Sequence, residues 1–167
     1  MTAANLIIVC LSYNRLMIEL ELLSLKDRLR FKSIENRTHL WDIVRKKWIR
    51  VAPEELVRQL LIHHLILHES YPKGLIKVEK KLKVHQLVKR CDVLVLDKQG
   101  SPFLLIECKA PHINISQSVF DQVAMYNISL EVPYLLVSNG SQTFCCLMNY
   151  QNKSYQYIKR IPEFIFE

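Results

Sequence analysis

The feature that most constrains this chain is a pair of apolar runs around one polar turn. RCDVLVLD spans residues 90–97 and FLLIECK spans 103–109, and Asp97-Lys98-Gln99-Gly100-Ser101-Pro102 lies between them. Runs this continuously apolar, bounded by turn residues, read as central strands covered on both faces. The turn chemistry closes them into a hairpin. If the turn is centred on Gln99-Gly100, opposed residues have numbers that sum to 199, which sets Asp92 across from Glu107. Directly opposed side chains lie about 4.5–5.5 Å apart at Cβ, and like charges there are destabilising. Two carboxylates in the most apolar hairpin of the chain therefore call for a cation between them.

Side chains alternate along a strand, so Glu107 and Lys109 share a face while Cys108 points to the opposite core. Two carboxylates and one ammonium then surround a single point. Mg²⁺, or Mn²⁺ in its place, suits such a site, because Mg²⁺ takes oxygen ligands and commonly uses one or two carboxylates. A bound divalent ion polarises a phosphoryl oxygen and lowers the pKa of its water. Lys109, a compact point charge, is placed to hold a phosphate or the attacking water. An isolated Glu-x-Lys is common and carries little weight; the opposing acid gives this one its meaning.

The surroundings of the hairpin are also legible. Residues 28–51 read as an antiparallel ribbon with turns near Glu35-Asn36 and Arg45-Lys46-Lys47. Pro53 suits the first position of a helix, and Glu54 and Glu55 suit its positive end. That helix is expected to run to about His68, apolar through Leu56, Leu60, Leu61, Leu65 and Ile66, and to stop before Tyr71-Pro72-Lys73-Gly74. Leu75–Val84 alternates as one strand. A second helix is expected over Ser116–Leu130, with Ser118 and Asp121 at capping-box spacing. Pro133–Ser138, Thr143–Tyr150 and Ser154–Ile158 read as strands. From Pro53 the order is helix, three strands, helix, strand.

The sequence Asp92…Glu107-Cys108-Lys109 resembles the Asp…Glu-x-Lys signature of PD-(D/E)XK nucleases. Cys91 stands where those enzymes usually carry proline. Gln122-Val-Ala-Met-Tyr126 resembles the Gln-x-x-x-Tyr motif of RecB-like nucleases and type I restriction R subunits, and its i,i+4 spacing puts both residues on one helix face. Pro53–Gln59 is similar to the corresponding helix of small proteins related to the R-subunit N-terminus. The resemblance covers roughly Met17 to the end and is closest over Pro53–Gly140.

It implies an α/β domain of restriction-endonuclease-like fold with a Mg²⁺-dependent endonuclease site acting on DNA. Asp92, Glu107 and the Cys108 carbonyl are expected to hold the metal, with Lys109 catalytic. Glu55, preferred to Glu54, is expected to complete the acidic set, and Gln122 and Tyr126 to support it. The alternative of another class is a non-cleaving nucleic-acid-binding module of a larger restriction or repair complex. No helicase motor or Gly-rich phosphate loop is present in these residues.

Composition is consistent with a nucleic-acid partner. The formal charge is +7, a balance that favours an acidic partner. Lys46, Lys47, Lys81 and Arg90 are candidate phosphate contacts, although any one of them, taken alone, reads first as part of a solvated basic face. Five cysteines with no CxxC pair suggest a reducing, cytoplasmic setting. The apolar run Leu6–Leu11 is too short to span a membrane. Residues 1–16 are expected to be an extension outside a single domain over 17–167, and the oligomeric state, a dimer included, stays open. His63, His64 and His68 lack the ligands to complete a zinc site and read as ordinary helix residues.

Overall fold

The structure is a computed structural model. It describes residues 9–10, 16–84, 87–127 and 130–165, while the side chains of 9–10, 81–84, 87–89 and 125–126 lie outside the description. A seven-stranded mixed sheet forms the centre. Its order is β1 (Val9–Cys10), β12 (Ser154–Ile158), β11 (Thr143–Asn149), β10 (Tyr134–Ser138), β9 (Pro102–Cys108), β8 (Val93–Leu96) and β5 (Ile76–Val78). Helix α1 (Pro53–Leu67) covers one face and α2 (Gln117–Asn127) the other. Strands β2 (Phe31–Ile34), β3 (Arg37–Asp42) and β4 (Lys47–Arg50) form a separate antiparallel sheet, the ribbon expected ahead of α1.

Coverage on both faces explains the apolar strands. Val93, Val95, Leu104, Ile106 and Cys108 pack with Val57, Leu61 and Leu65 of α1. Leu94, Leu105, Leu135 and Val137 pack with Phe120, Val123 and Ala124 of α2. Strands β9 and β10 are parallel, so the chain must cross over between them, and α2 is that crossover. No helix among the described residues is long and apolar enough to cross a membrane.

The hairpin register is the expected one over Val93↔Ile106, Leu94↔Leu105 and Val95↔Leu104, and it slips by one at a bulge where Leu96 meets Pro102. Gly100, at φ +84°, completes the turn, and the Asp97 carboxylate accepts from the Ser101 N–H at 2.7 Å.

Several expectations need correction. Leu75–Val84 is not one strand: Glu79 turns the backbone into the left-handed region at φ 52°, separating β5 from β6 (Lys81–Val84). Strand β6 pairs instead with β7 (Leu87–Arg90), so Arg90 belongs to a different sheet from β8. Helix α2 begins at Gln117 and is capped by Ser116, whose Oγ accepts from the Val119 N–H at 3.3 Å. Ser118 bonds Ser116 Oγ at 2.8 Å and Asp121 takes the Tyr155 hydroxyl at 2.8 Å, so the two do not form a capping box. The buried stripe of α1 is centred on Val57, Leu61, Ile62 and Leu65, while Leu56 and Ile66 are half-buried. The helix is also covered by Leu22 and Leu25 of a 3₁₀ helix over Leu22–Arg28, which rotates its apolar demand away from a single face. Of the first sixteen residues, Val9–Cys10 pair in parallel with Ser154 and Tyr155; 1–8 and 11–15, where most of the expected extension falls, lie outside the described residues.

Candidate active site

The site sits where the chain enters β8 and leaves β9, beside the N-terminal turn of α1. Asp92 precedes β8 and Glu107 is the penultimate residue of β9, so both fall at one edge of the hairpin. The Cys108 N–H donates to Asp92 Oδ2 at 2.8 Å, which fixes the carboxylate against the facing strand. Lys109 extends the parallel pairing, its N–H donating to the Ser138 carbonyl at 2.8 Å. From there its Nζ donates to Glu107 Oε1 at 2.8 Å. Cys108 faces the α1 core, as alternation requires, and burial with the Asp92 charge holds its thiol well above the ordinary range.

The charges around this edge act on one another. Burial, then the Asp92 charge, raises the Glu107 carboxyl above its ordinary range, against the pull of Lys109. Burial opposes the charge on Lys109, but its hydrogen bond to Glu107 and the charges of Glu107, Asp92 and Glu54 outweigh it and favour the ammonium. Glu54, on α1, adds a smaller effect at both Glu107 and Lys109.

Glu55, the acid of α1 expected to complete the set, is engaged by three donors. It is 8% exposed and accepts from Arg58 at 2.6 Å, from Arg45 at 3.1 Å and from Gln59 at 3.4 Å. Arg58, itself 4% exposed, also donates to Asp92 Oδ1 at 2.9 Å and reaches Glu79 at 3.5 Å. Burial opposes the Arg58 charge, yet Asp92 and Glu55 keep its pKa raised. Arg45 bonds Asp42 at 2.6 Å and also pairs with Glu79. Asp42, Glu55, Glu79 and Asp92 are thus joined through Arg45, Arg58 and the more exposed Arg90 into one partly buried network. Arg45, Arg58, Glu79 and Asp42 were missed in the sequence. The available signal was an arginine one turn after Glu55, ahead of the apolar stretch of the helix.

Gln122 lies exposed on α2, the helix that covers the sheet face opposite α1. The side chains of Tyr126 and Lys81 lie outside the described residues. Lys46 and Lys47 are exposed at the ribbon's second turn, and Arg90 is paired with Glu79. His64 bonds Glu69 at 3.3 Å and stacks near His68, with ring centroids 5.1 Å apart.

Two carboxylates offer the oxygen atoms that a hard divalent cation takes, and each already accepts from a neighbouring donor. Among the described residues no three His, Cys, Asp or Glu side chains converge on one metal position.

Residues 53–162 match the family model described as the type I restriction enzyme R protein N terminus, HSDR_N. The chain belongs to this family. The matched stretch runs from the first residue of α1 to beyond β12, so it contains the hairpin, both helices and Glu55, Arg58, Glu79 and Asp92 of the network, while Asp42 and Arg45 precede it. A fragment structure described as an HsdR subunit of a type I restriction enzyme, from Vibrio vulnificus YJ016, is similar at 16% identity with a TM-score of 0.48. The match covers 67% of this chain and 24% of that one, so this chain spans about a quarter of its length. No curated protein matches.

Proposed function

We propose that this domain is a Mg²⁺- or Mn²⁺-dependent deoxyribonuclease of restriction-endonuclease-like fold, hydrolysing phosphodiester bonds within a larger restriction assembly. The observation that carries this reading is the Asp92–Glu107 pair. Both carboxylates stand at one end of the hairpin, Glu107 is raised by burial and by the Asp92 charge, and Lys109 donates to it. Membership of the R-protein N-terminal family supports the same reading.

In this reading Asp92 and Glu107 hold the metal, with the Cys108 carbonyl as a further oxygen. When bound, the metal supplies a polarised phosphoryl oxygen and a water of lowered pKa. Lys109 stays protonated beside Glu107, so it can hold a phosphate oxygen as negative charge develops there. Glu54, whose charge reaches both Glu107 and Lys109, takes the role first expected of Glu55. Glu55 and Arg58 act as positioning residues, fixing Asp92 from behind. Gln122 and Tyr126, on α2, are the supporting pair.

A second reading has its own observation. Both oxygens of Asp92 are engaged, one by Arg58 and one by the Cys108 N–H. An acid neutralised in this way would suit a non-cleaving nucleic-acid-binding module of a larger restriction or repair complex. Incubating the chain with plasmid and single-stranded DNA in Mg²⁺ or Mn²⁺, beside Lys109→Ala and a chelator control, separates the two. Cleavage that needs the metal and is lost in the variant is expected. Binding of DNA without cleavage, in the presence of either metal, favours the second reading.

A further inference from the structure

The ribbon sheet has two chemically different faces. On the inner one Leu40 and Asp42 are fully buried. On the outer one the register aligns Lys32 with His39 and His39 with Arg50, and it sets Trp41 opposite Trp48. Arg37 continues this face beside Ile34, and Arg30, whose carbonyl accepts from the Trp41 N–H at 2.9 Å, begins it. Residues two apart on a strand, and residues opposed across strands, share a face. Every charged position on this face is basic, and Arg30, Lys32, Arg37 and Arg50 are all exposed.

The aromatics are organised with the cations. Trp41 and Trp48 meet edge to face with centroids 5.2 Å apart. The Arg30 guanidinium lies 5.4 Å from one ring centroid and 5.8 Å from the other, and Lys32 lies 6.0 Å from Trp48. Both indoles are half-buried.

We propose that this face binds single-stranded DNA, its arginines and lysine tracking phosphates while Trp41 and Trp48 stack against unpaired bases. The inference rests on the nuclease-domain reading for its choice of nucleic acid and extends it to a surface and a strandedness. Cations that track the backbone, interleaved with aromatics that take bases, are how proteins hold single strands without sequence preference. In a duplex the base faces are stacked on one another and closed to tryptophan. An acidic peptide would satisfy the cations but leave the indoles without a role.

The face is also coupled to the candidate site. Asp42, on the inner face of β3, accepts from the Val44 and Arg45 N–H groups at 2.9 and 2.7 Å and bonds the Arg45 side chain. Arg45 in turn bonds Glu55 and Glu79. A strand held on the ribbon is therefore positioned by the same network that orients Asp92.

The chain has two tryptophans, both on this face, so intrinsic tryptophan emission reports on it directly. The test is a titration of the full chain, in chelator to prevent cleavage, with an oligothymidylate of about 12 nucleotides, within the usual range of single-strand site sizes. The proposal predicts saturable quenching that weakens with salt. Lys32→Glu with Arg50→Glu should weaken binding at least tenfold and lower the salt slope by about 1.4, the value for two lost phosphate contacts on a single strand. An unchanged melting temperature in that variant shows that the ribbon is intact. Absent quenching, unchanged affinity in the double variant, tighter binding of a duplex, or equal competition by polyglutamate would each overturn it. Lys109→Ala should keep saturable quenching of the ribbon indoles, whatever its own phosphate contact adds to affinity. If its cleavage persists while the ribbon binds, the nuclease site is misassigned and the surface stands. If quenching is absent while Lys109→Ala abolishes cleavage, only the surface fails.

Discussion

Arg58 and Asp92, 34 residues apart in sequence, are joined by a 2.9 Å hydrogen bond that ties the first helix to the strand hairpin. The same guanidinium bonds Glu55 at 2.6 Å, so one nearly buried cation serves two acids from different elements. Asp92 is placed by this contact as much as by its own strand.

Removing that cation leaves two acids short of a partner in a partly buried place. Breaking a buried pair by deleting one member costs about 3–5 kcal/mol, and Arg58→Ala should lose stability of that order. Chemical denaturation of the two proteins measures it. A loss below about 0.5 kcal/mol, ordinary for a surface substitution, would show that the network is not formed.

Glu54 and Glu55 are neighbours with opposite expected phenotypes. Glu55→Ala removes an acceptor shared by Arg58, Arg45 and Gln59, and should destabilise by about 2 kcal/mol. Glu54 is exposed, so Glu54→Ala should stay within about 0.5 kcal/mol of wild type. Under the nuclease reading, Glu54→Ala should nevertheless lower cleavage more than tenfold. Paired denaturation and cleavage measurements check both, and equal stability losses would contradict the division of roles.

Acid should weaken the fold through α1. Burial lowers the pKa of His63, helped by Arg28 and Lys73, and burial lowers that of His64 in spite of Glu69. A histidine with a depressed folded-state pKa binds fewer protons folded than unfolded, so its contribution is complete above the unfolded value near 6.5. That contribution is lost as pH falls from about 6.5 through the lowered folded value. Denaturation midpoints from pH 7.5 to 5 should fall below 6.5, and His63→Gln with His64→Gln should flatten that decline.

The hairpin was legible because a strand alternates with period two and its turn residues fix the register. Val93↔Ile106 and the Glu107–Lys109 contact follow from that arithmetic. The arginine–carboxylate network was not, since Arg45 meets Glu79 only because Glu79 adopts a positive φ and bends the chain back. No local propensity announces a non-glycine residue in that conformation. The choice between Glu54 and Glu55 turned on how α1 is rotated over the sheet. Adjacent helical residues point about 100° apart, and the covering Leu22–Arg28 segment changed which side of α1 was apolar. The cationic ribbon face was half visible: Lys46 and Lys47 read as candidate phosphate contacts, but only strand pairing gathers Arg30, Lys32, Arg37 and Arg50 around the two indoles.

The most direct test is the melting temperature of the wild type, Asp92→Asn and Glu107→Gln across a titration of Mn²⁺ and Mg²⁺. A ligand that binds only the folded state stabilises it by about 2.7 kcal/mol at one hundred times its dissociation constant. The account predicts a saturable rise for wild type that either substitution removes. No rise for wild type, or the same rise in all three proteins, would contradict a metal site at Asp92 and Glu107.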